Sequence, residues 1–403
     1  MISAFHCPYR QASLLQQALA PDKMRVAFFL GAGCPSAIRI PDGGSTRPLI
    51  PDISGLTGQV RGDLEASAEF KNSFKTVATR LADNEIAVPT IEDILSHVRA
   101  VTEIVGNGKI DGLSKDDLGK LDTEICRLTT ERVRVDLPTI DSPYHQLAAW
   151  IGGIQRTHSV EIFSPNYDLL AEQALEEVRI PYFDGFVGSK QTFFDLPSIE
   201  QDSLPARWAR LWKVHGSINW WRTPTGEVER RLAGEEKDRQ MIYPSHLKYD
   251  QSRRMPYLAM LDRLKSFLTG GQAVLITCGY SFNDQHLTDV IVQGLSGNPT
   301  AVCFGLLYSD RANFPKAVER ARKQPNLSLL AADGAVLGTI DHDWHSEEKK
   351  DHPLHGLAAQ AGELKERSVS PPERCKFLLG NFATLGELLA WQLSQGDGAS
   401  NAP

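Results

Sequence analysis

The sequence has no pair of closely spaced cysteines. Its six cysteines are scattered, and no Cys-x-x-Cys occurs, which argues against a zinc ribbon. Several of them lie in apolar runs, where a thiol packs as a small hydrophobic group. We therefore predict reduced cysteines, mostly in the core, without a disulfide framework or bound zinc, at Cys7, Cys34, Cys126, Cys278, Cys303 and Cys375.

The sequence also lacks a long apolar run and an excess of positive charge. No stretch approaches the roughly 20 apolar residues of a membrane span, and residues 1–10 contain polar residues and proline instead of the apolar core of a signal peptide. The formal net charge is −7, so the composition carries no electrostatic footprint for nucleic acid. We predict a cytoplasmic protein that contacts no membrane and binds no nucleic acid directly.

Short apolar segments recur along the 403 residues, of which 41% are hydrophobic. Such segments fit strands that are buried on both faces of a sheet, and they lie at 24–30, 160–163, 210–216, 273–282, 300–308 and 327–332. Helical patterns alternate with them, at 166–178, 253–268, 283–295 and 311–323. The alternation predicts an α/β fold with a doubly wound, mostly parallel, Rossmann-like sheet.

Two long segments fall outside this alternation. Residues 45–158 are mostly helical in pattern, and because so long a connection must carry its own structure, we predict a helical subdomain inserted into a core of residues 1–44 and 159–334. Residues 335–403 contain predicted exposed linkers at 345–356 and 367–375. An apolar-faced helix at 382–395 could pack on the core or on a neighbouring subunit, so we expect a homo-oligomer. Four histidines of this region show no metal-ligand pattern and are interpreted as solvated: His342, His345, His352 and His355.

Glycine and polar residues stand where four of the apolar segments end. They are, in chain order, Gly31, Ala32 and Gly33; Ser164, Asn166 and Asp168; His215 and Gly216; and Gly279, Ser281, Asn283 and Asp284. The carboxyl ends of parallel strands share one edge of a sheet, at which open α/β proteins bind ligands. A glycine-rich turn there lets backbone amides approach a phosphate. The spacing therefore predicts one ligand site built from all four segments.

Each motif also has a purely structural explanation. The glycines can simply turn the chain. Asn166 can cap a helix that begins at the next residue, with Asp168 complementing the helix dipole. His215 can be a core histidine, and Asp284 can belong to an N-terminal helix signature. The functional interpretation depends on all four motifs occurring together.

In this order the motifs resemble those of the sirtuin-like NAD-binding family, especially its bacterial branch that hydrolyses NAD in antiphage defence. The resemblance extends from about Met24 to Gly334. It implies that the Gly-Ala-Gly turn holds the NAD pyrophosphate, that the Asn-x-Asp motif lies beside the nicotinamide ribose, and that the His-Gly motif carries the catalytic histidine. The segment 88–98 also resembles a helical element common in the defence branch. We assign catalysis to His215, Asn166 and Asp168, and NAD binding to Gly31, Ala32, Gly33, Asp42, Ser164, Gly216, Gly279, Ser281, Asn283 and Asp284.

The sequence departs from deacylating sirtuins at two points. Those enzymes carry two Cys-x-x-Cys pairs that hold a structural zinc, whereas here the helical interval stands where the zinc module would be, so no zinc is expected. They also continue Ile-Pro-Asp with Phe-Arg, whereas here Asp42 is followed by two glycines. Protein deacylation is therefore the weaker alternative.

The residues suit hydrolysis of NAD to nicotinamide and ADP-ribose. Breaking the nicotinamide bond places positive charge on the ribose, and nicotinamide leaves as a neutral molecule, so the protein must fix the ribose and position water. His215 can accept a proton, Asn166 and Asp168 can hold the ribose and support positive charge, and Asp42 can meet the nicotinamide amide. A non-catalytic module that senses NAD or ADP-ribose is the second alternative. The resemblance implies a ring-forming DNA-translocase ATPase of the HerA type as a partner.

Overall fold

The computed structural model describes residues 5–20, 24–83, 88–138, 141–234, 239–242, 255–346, 352–361 and 373–396. The helices are α1 (Pro8–Ala18), α2 (Gly33–Ala37), α3 (Ile53–Ala66), α4 (Lys71–Asp83), α5 (Ile91–Ile104), α6 (Lys115–Val133), α7 (Pro143–Gly153), α8 (Leu170–Glu177), α9 (Leu196–Gln201), α10 (Tyr257–Thr269), α11 (Gln285–Gly297), α12 (Pro315–Ala321) and α13 (Phe382–Gly396). The strands are β1 (Arg25–Leu30), β2 (Arg39–Asp42), β3 (Ser45–Pro48), β4 (Glu161–Ser164), β5 (Tyr182–Phe183), β6 (Phe186–Val187), β7 (Phe193–Phe194), β8 (Ala209–Lys213), β9 (Gly216–Arg222), β10 (Val228–Arg230), β11 (Arg239–Ile242), β12 (Ala273–Cys278), β13 (Ala301–Leu306), β14 (Leu327–Leu330), β15 (Gly334–Leu337), β16 (Ile340–Asp343), β17 (His345–Ser346), β18 (Ala359–Ala361) and β19 (Glu373–Phe377).

A central sheet organises the molecule. Within the described residues it has nine strands, in the order β16-β15-β14-β13-β12-β1-β4-β8-β5. The strands from β14 to β5 pair in parallel, while β15 and β16 add an antiparallel edge. The predicted α/β fold with a mostly parallel sheet is confirmed, and all six apolar segments of the sequence lie in it.

Both faces of the sheet are covered, which explains the unbroken apolar runs. Phe28 and Phe29 are adjacent in β1 and fully buried on opposite faces. Phe28 packs edge-on against Trp150 of α7, with ring centroids 5.6 Å apart, and Phe29 packs against Tyr280, 4.7 Å away. Helices α10, α11 and α12 cover the Phe29 face, and α1, α7, α8 and α13 cover the other. The sheet is therefore doubly wound.

The strand order reverses between β1 and β12. From β1 the chain proceeds through β4 to β8 on one side, and then returns to β12, β13 and β14 on the other side. Loops that leave two such neighbouring strands run to opposite sides and leave a crevice at the carboxyl edge of the sheet. A ligand cavity is therefore expected at this edge, beside the loops that follow Leu30 and Cys278.

The segment between β3 and β4 carries the helices α3 to α7, of which α3 to α6 pack together as a bundle. Apolar residues on their facing sides are buried, including Val60, Phe74 and Ile125. The N-termini of α5 and α6 are closed by capping boxes, Thr90 with Asp93 and Ser114 with Asp117, which satisfy the first backbone amides of each helix. An ion pair between Arg99 and Asp122, 2.7 Å long, joins the two helices.

Three local predictions are wrong at their boundaries. The strand predicted over 210–216 ends at Lys213. His215 lies in the turn that follows, and Gly216 has φ +90°, a left-handed value that favours glycine. Helix α8 begins at Leu170 rather than before Asp168. The backbone of the preceding loop is hydrogen-bonded to another strand instead, since Ile218 N–H donates to Tyr167 O at 3.0 Å. The sheet also continues past the core boundary predicted at residue 334, through β15 and β16.

The C-terminal region is more structured than its polar sequence predicts. Helix α13 packs on the core, where Gln392 accepts a hydrogen bond from Trp150 Nε1 at 2.9 Å. The interpretation of His352 and His355 as solvated is wrong, because both rings pack on Tyr9 and its hydroxyl lies 2.6 Å from His355 Nδ1. Parts of the predicted linkers, at 347–351 and 367–372, lie outside the described residues, and the rest includes strands β17 and β19.

Among the described helices, none combines the length and apolar character that crossing a membrane requires.

The close contact between the β1 and β12 loops predicts a stability difference between two glycine substitutions. Gly31→Ala should lower the free energy of unfolding by about 1–3 kcal/mol, because the new methyl group would overlap the backbone of Gly279. Gly58→Ala is the control: Gly58 lies inside α3 with open space around it, so alanine there should be neutral or stabilising by about 0.5–1 kcal/mol. Urea unfolding measures both, and equal stability of the two variants would contradict the packing argument.

Candidate functional site

A cavity of about 460 Å³ opens at the carboxyl edge of the sheet, where the strand order reverses. Clefts of this size are typical of small-molecule sites. Its wall combines residues of the sheet loops with residues of the helical insertion. The lining residues are Ala32, Pro35, Ile50, Pro51, Ile53, Leu56, Thr90, Glu92, Asp93, Val133, Pro165, Asn166, Tyr167, Asp168, His215, Gly279, Tyr280, Ser281, Asn283, Asp284, Leu287 and Lys316.

The structure therefore brings together most of the side chains that the sequence selects. Three more of the predicted residues lie directly beneath the cavity wall and support it: Gly31, Gly33 and Ser164. Ser164 is buried, and its hydroxyl donates to Leu30 O at 3.0 Å and accepts from Asn166 N at 3.1 Å. Ser164 thus joins the loops that follow β1 and β4.

Gly31 and Gly33 serve close packing in this arrangement. Gly31 N donates to Cys278 O and Gly33 N donates to Gly279 O, each at 2.9 Å. A methyl group on Gly33 would lie 2.7 Å from the Cα of Gly279. Both amides thus already donate to protein carbonyl groups, and the contact of these two glycines with the NAD pyrophosphate stays a prediction. Of the three residues of the Gly-Ala-Gly turn, Ala32 is the one that lines the cavity.

His215 is paired with a carboxylate. Its Nε2 lies 3.3 Å from Asp284 Oδ2, and the imidazole is 5% exposed. Burial alone would lower the pKa of His215, but the hydrogen bond and charge of Asp284, together with the charge of Glu92, outweigh burial and raise the pKa above 6.5. Asp284 is also the N-cap of α11, since its Oδ1 accepts from Leu287 N at 3.0 Å. The helix-cap explanation of Asp284 is thus correct, and the same carboxylate also contacts His215.

Asn166 and Asp168 occupy different environments. Asn166 is half-buried on the cavity wall, and its amide nitrogen donates to Gly31 O at 3.1 Å; it does not cap α8, whose N-cap is Leu169. Asp168 is 4% exposed and accepts from Leu170 N at 3.1 Å. Burial raises the pKa of Asp168, and the charge of Lys213 opposes that shift. Lys213 Nζ also donates to the backbone oxygen of Asp168.

Asp42 does not reach the cavity. It lies exposed at the end of β2, next to the Gly43–Gly44 turn of the β2–β3 hairpin, and it is absent from the described lining residues. The structure therefore does not bring Asp42 together with the other predicted site residues, and its contact with a nicotinamide amide stays a prediction. The hairpin that carries Asp42 turns through two glycines at positive φ, and its residues 41–47 are exposed. Gly216 likewise lies outside the cavity and acts by turning the chain after His215.

The sequence interpretation missed the contribution of the helical insertion. Glu92 of α5 faces the cavity and accepts a hydrogen bond from the Tyr167 hydroxyl at 2.6 Å. Burial raises the pKa of Glu92, while His215 and the Tyr167 hydrogen bond lower it. The acidic pair Glu92-Asp93 in the first turn of α5 was the available signal, because the capping box with Thr90 uses only Asp93.

An apolar wall faces these polar groups. It is formed by residues from α2, α3, α6 and the segment between β3 and α3: Pro35, Ile50, Pro51, Ile53, Leu56 and Val133. Such a surface can accommodate a planar aromatic ring while the polar wall orients the rest of a ligand. In the parts of the chain that the structure describes, no cluster of three or more His, Cys, Asp or Glu side chains could hold a metal ion.

Residues 160–330 match the family model of the SIR2-like domain. This SIR2-like segment includes the loops of Asn166, His215 and Asp284, whereas Gly31 and Glu92 lie outside it. Solved structures are also similar to the chain, among them the following two. One, from a study of the mechanism and regulation of Sir2 enzymes, is 10% identical, with 74% of this chain and 85% of that chain covered and a TM-score of 0.33. A Sir2 homolog–NAD complex is 13% identical, with 75% and 85% covered and a TM-score of 0.30. No curated protein matches the chain.

The His215–Asp284 pair predicts a defined effect of one neutralising substitution. Asp284→Asn should lower the pKa of His215, because it removes the charge that stabilises the imidazolium, while asparagine retains the helix cap. A raised histidine pKa stabilises the fold below the unfolded value of 6.5 and loses that effect as the pH rises through the folded pKa. The variant should therefore lose stability mainly below about pH 6.5.

NMR titration of the histidine ring and urea unfolding at several pH values measure the two effects. Asp289→Asn is the matched control, since Asp289 lies on the same helix but pairs with Arg320 at 2.9 Å. An unchanged pKa of His215 in Asp284→Asn would show that the pair does not form in solution.

Proposed function

We propose that the protein is an NAD glycohydrolase that cleaves NAD to nicotinamide and ADP-ribose. The observation that carries the proposal is the convergence of His215, Asn166 and Asp284 on one cavity at the point where the strand order reverses. Dinucleotides bind at this position in doubly wound sheets. The SIR2-like segment supports a reaction that uses NAD.

The charges around the cavity suit this reaction. Among the described lining residues the acidic side chains are Glu92, Asp93, Asp168 and Asp284, and the lysine is Lys316. When the nicotinamide bond breaks, positive charge moves from the pyridinium ring to the ribose. Fixed carboxylates near the ribose stabilise that developing charge without reorganising at the moment of reaction.

Each polar group has a role in the proposed step. The bond between nicotinamide and ribose breaks, and its electron pair leaves with neutral nicotinamide. Water loses a proton to His215 and adds to the ribose carbon, which gives ADP-ribose. Asn166, held in place by Gly31 O, presents its amide to the ribose or the water, and Asp284 orients the imidazole. Lys316, at the start of α12, is placed to attract the diphosphate.

Two alanine substitutions test the assignment. His215→Ala and Asn166→Ala should each reduce NAD turnover, the first by about 100-fold or more, because a positioned general base contributes roughly 10²–10⁴ to the rate. The matched controls are His158→Ala and Asn72→Ala, both at exposed positions away from the cavity. Chromatography of nicotinamide and ADP-ribose measures turnover.

Three outcomes would replace the proposal. Turnover that survives both site substitutions would remove these residues from the mechanism. Calorimetry that shows NAD or ADP-ribose binding without turnover, alone or with a partner, would indicate a sensing module. Formation of O-acetyl-ADP-ribose from an acetyl-lysine peptide would indicate a protein deacylase.

We further propose that the enzyme serves antiphage defence and that assembly controls it, since a protein that depletes cellular NAD must be restrained until needed. Support comes from the sequence resemblance to the defence branch, which implies a HerA-type ATPase as partner and a homo-oligomeric state. Native mass spectrometry of the protein, alone and with such an ATPase from the same genome, should detect multimers and a mixed complex with altered NAD turnover. A monomer under both conditions would contradict control by assembly.

A further inference from the structure

One acidic group of the cavity comes from the helical insertion rather than from the sheet. Glu92 is the second residue of α5 and follows the capping residue Thr90. Asp93 completes the capping box by accepting from Thr90 N at 2.8 Å, so the two neighbouring carboxylates have separate tasks. Ile91 N donates to Thr57 Oγ1 at 2.9 Å, which fixes the start of α5 to α3. Glu92 is thus held at the cavity by the insertion itself.

Glu92 contacts the middle of the Asn-x-Asp motif. The Tyr167 hydroxyl donates to Glu92 Oε1 at 2.6 Å, and the Tyr167 ring is buried between the sheet and the insertion. Because Tyr167 directly follows Asn166, its ring position constrains the backbone that carries the Asn166 amide.

The same tyrosine is connected to the histidine turn. Tyr167 O accepts from Ile218 N at 3.0 Å and from Ser217 Oγ at 3.4 Å. Both donors lie in β9, within three residues of His215. A movement of Tyr167 is therefore transmitted to both proposed catalytic side chains.

Glu92 also acts on His215 through its charge. Asp284, the N-cap of α11, and Glu92 of α5 line the same cavity as His215, and the charge of each favours the imidazolium. The other charged residues on the cavity wall are Asp93, Asp168 and Lys316. Neutralising Glu92 removes one of the two negative charges that favour the imidazolium, without altering the direct contact with Asp284.

We propose that Glu92 is a positioning residue that couples the helical insertion to the catalytic centre, by fixing the Asn166 loop through Tyr167 and by setting the electrostatic environment of His215. The assignment of NAD as substrate rests on the proposed function, but the coupling of Glu92 to Tyr167 and His215 does not. The insertion then does more than cover the cavity, because a shift of the α5 N-terminus would break the Glu92–Tyr167 hydrogen bond and remove one of the contacts that hold the loop.

Two substitutions separate the charge from the hydrogen bond. Glu92→Gln removes the charge but keeps an oxygen that can accept from Tyr167, so it should lower the pKa of His215 and move the acidic limb of the pH–rate profile to lower pH. Tyr167→Phe removes the hydrogen bond and leaves the carboxyl group of Glu92 in place, so it should reduce kcat about tenfold. Because that bond also helps to keep Glu92 ionised, the pKa of His215 should fall, but by less than in Glu92→Gln. A fall in kcat at nearly constant KM identifies misplacement of catalytic groups rather than weaker substrate binding.

The readouts are NMR titration of His215 and NAD hydrolysis measured against pH. Glu65→Gln is the control, because Glu65 lies in the same insertion and pairs at the surface with Arg61. Glu92→Asp retains the charge at a shorter reach and should behave like Tyr167→Phe, which provides a second test if Glu92→Gln does not fold.

The outcomes distinguish this proposal from the proposed function. If the parent protein does not hydrolyse NAD but Glu92→Gln lowers the pKa of His215, the coupling stands and the assigned reaction fails. The coupling is refuted, whatever the reaction, if neither variant differs from Glu65→Gln. That result would be an unchanged pKa of His215 and an unchanged kcat in Glu92→Gln and also in Tyr167→Phe.

Discussion

The contact between two glycine-containing loops at the reversal of the strand order determines the geometry of the site. Gly31 and Gly33 approach the backbone of Gly279 so closely that a methyl group at either position would overlap it. Hydrogen bonds from their amides then lock the β1 loop to the β12 loop. Since Asn166 is attached to the β1 loop and His215 to the β12 side through Asp284, this contact brings their side chains to one cavity.

The site concentrates negative charge at buried and partly buried positions. Such an arrangement is costly unless the carboxylates have partners. Asp284 is hydrogen-bonded by an amide of α11 and by His215, and Asp168 accepts an amide of α8 near Lys213. Glu92 has the Tyr167 hydroxyl. The partners keep the carboxylates in fixed orientations, which is the condition for electrostatic stabilisation of a cationic transition state.

The sequence predicts the central sheet well, because strands buried on both faces leave unbroken apolar runs such as those of β1 and β12. It also predicts which loops converge, since the carboxyl ends of parallel strands share an edge. The position of Asp42 away from the cavity could not be predicted, because nothing in a local pattern indicates where a solvent-directed hairpin points. Glu92 was missed because its approach to the cavity depends on the packing of α5 against α3, a contact between residues about 30 positions apart. The hydrogen bonds of the Gly31 and Gly33 amides could not be predicted for the same reason, because their carbonyl partners are distant in the sequence and meet them only in the folded protein.

The position of β1 in the middle of the sheet has a consequence for how the chain is made. Its two neighbours are β4 and β12, which begin at Glu161 and Ala273, and Trp150, which covers Phe28, is itself bonded to Gln392. On the ribosome, β1 must therefore wait until β12, about 250 residues further along the chain, has been synthesised before both of its edges are paired. Until then an apolar, unpaired strand is exposed, and such strands are the ones that chaperones bind and that aggregate when chaperones are scarce.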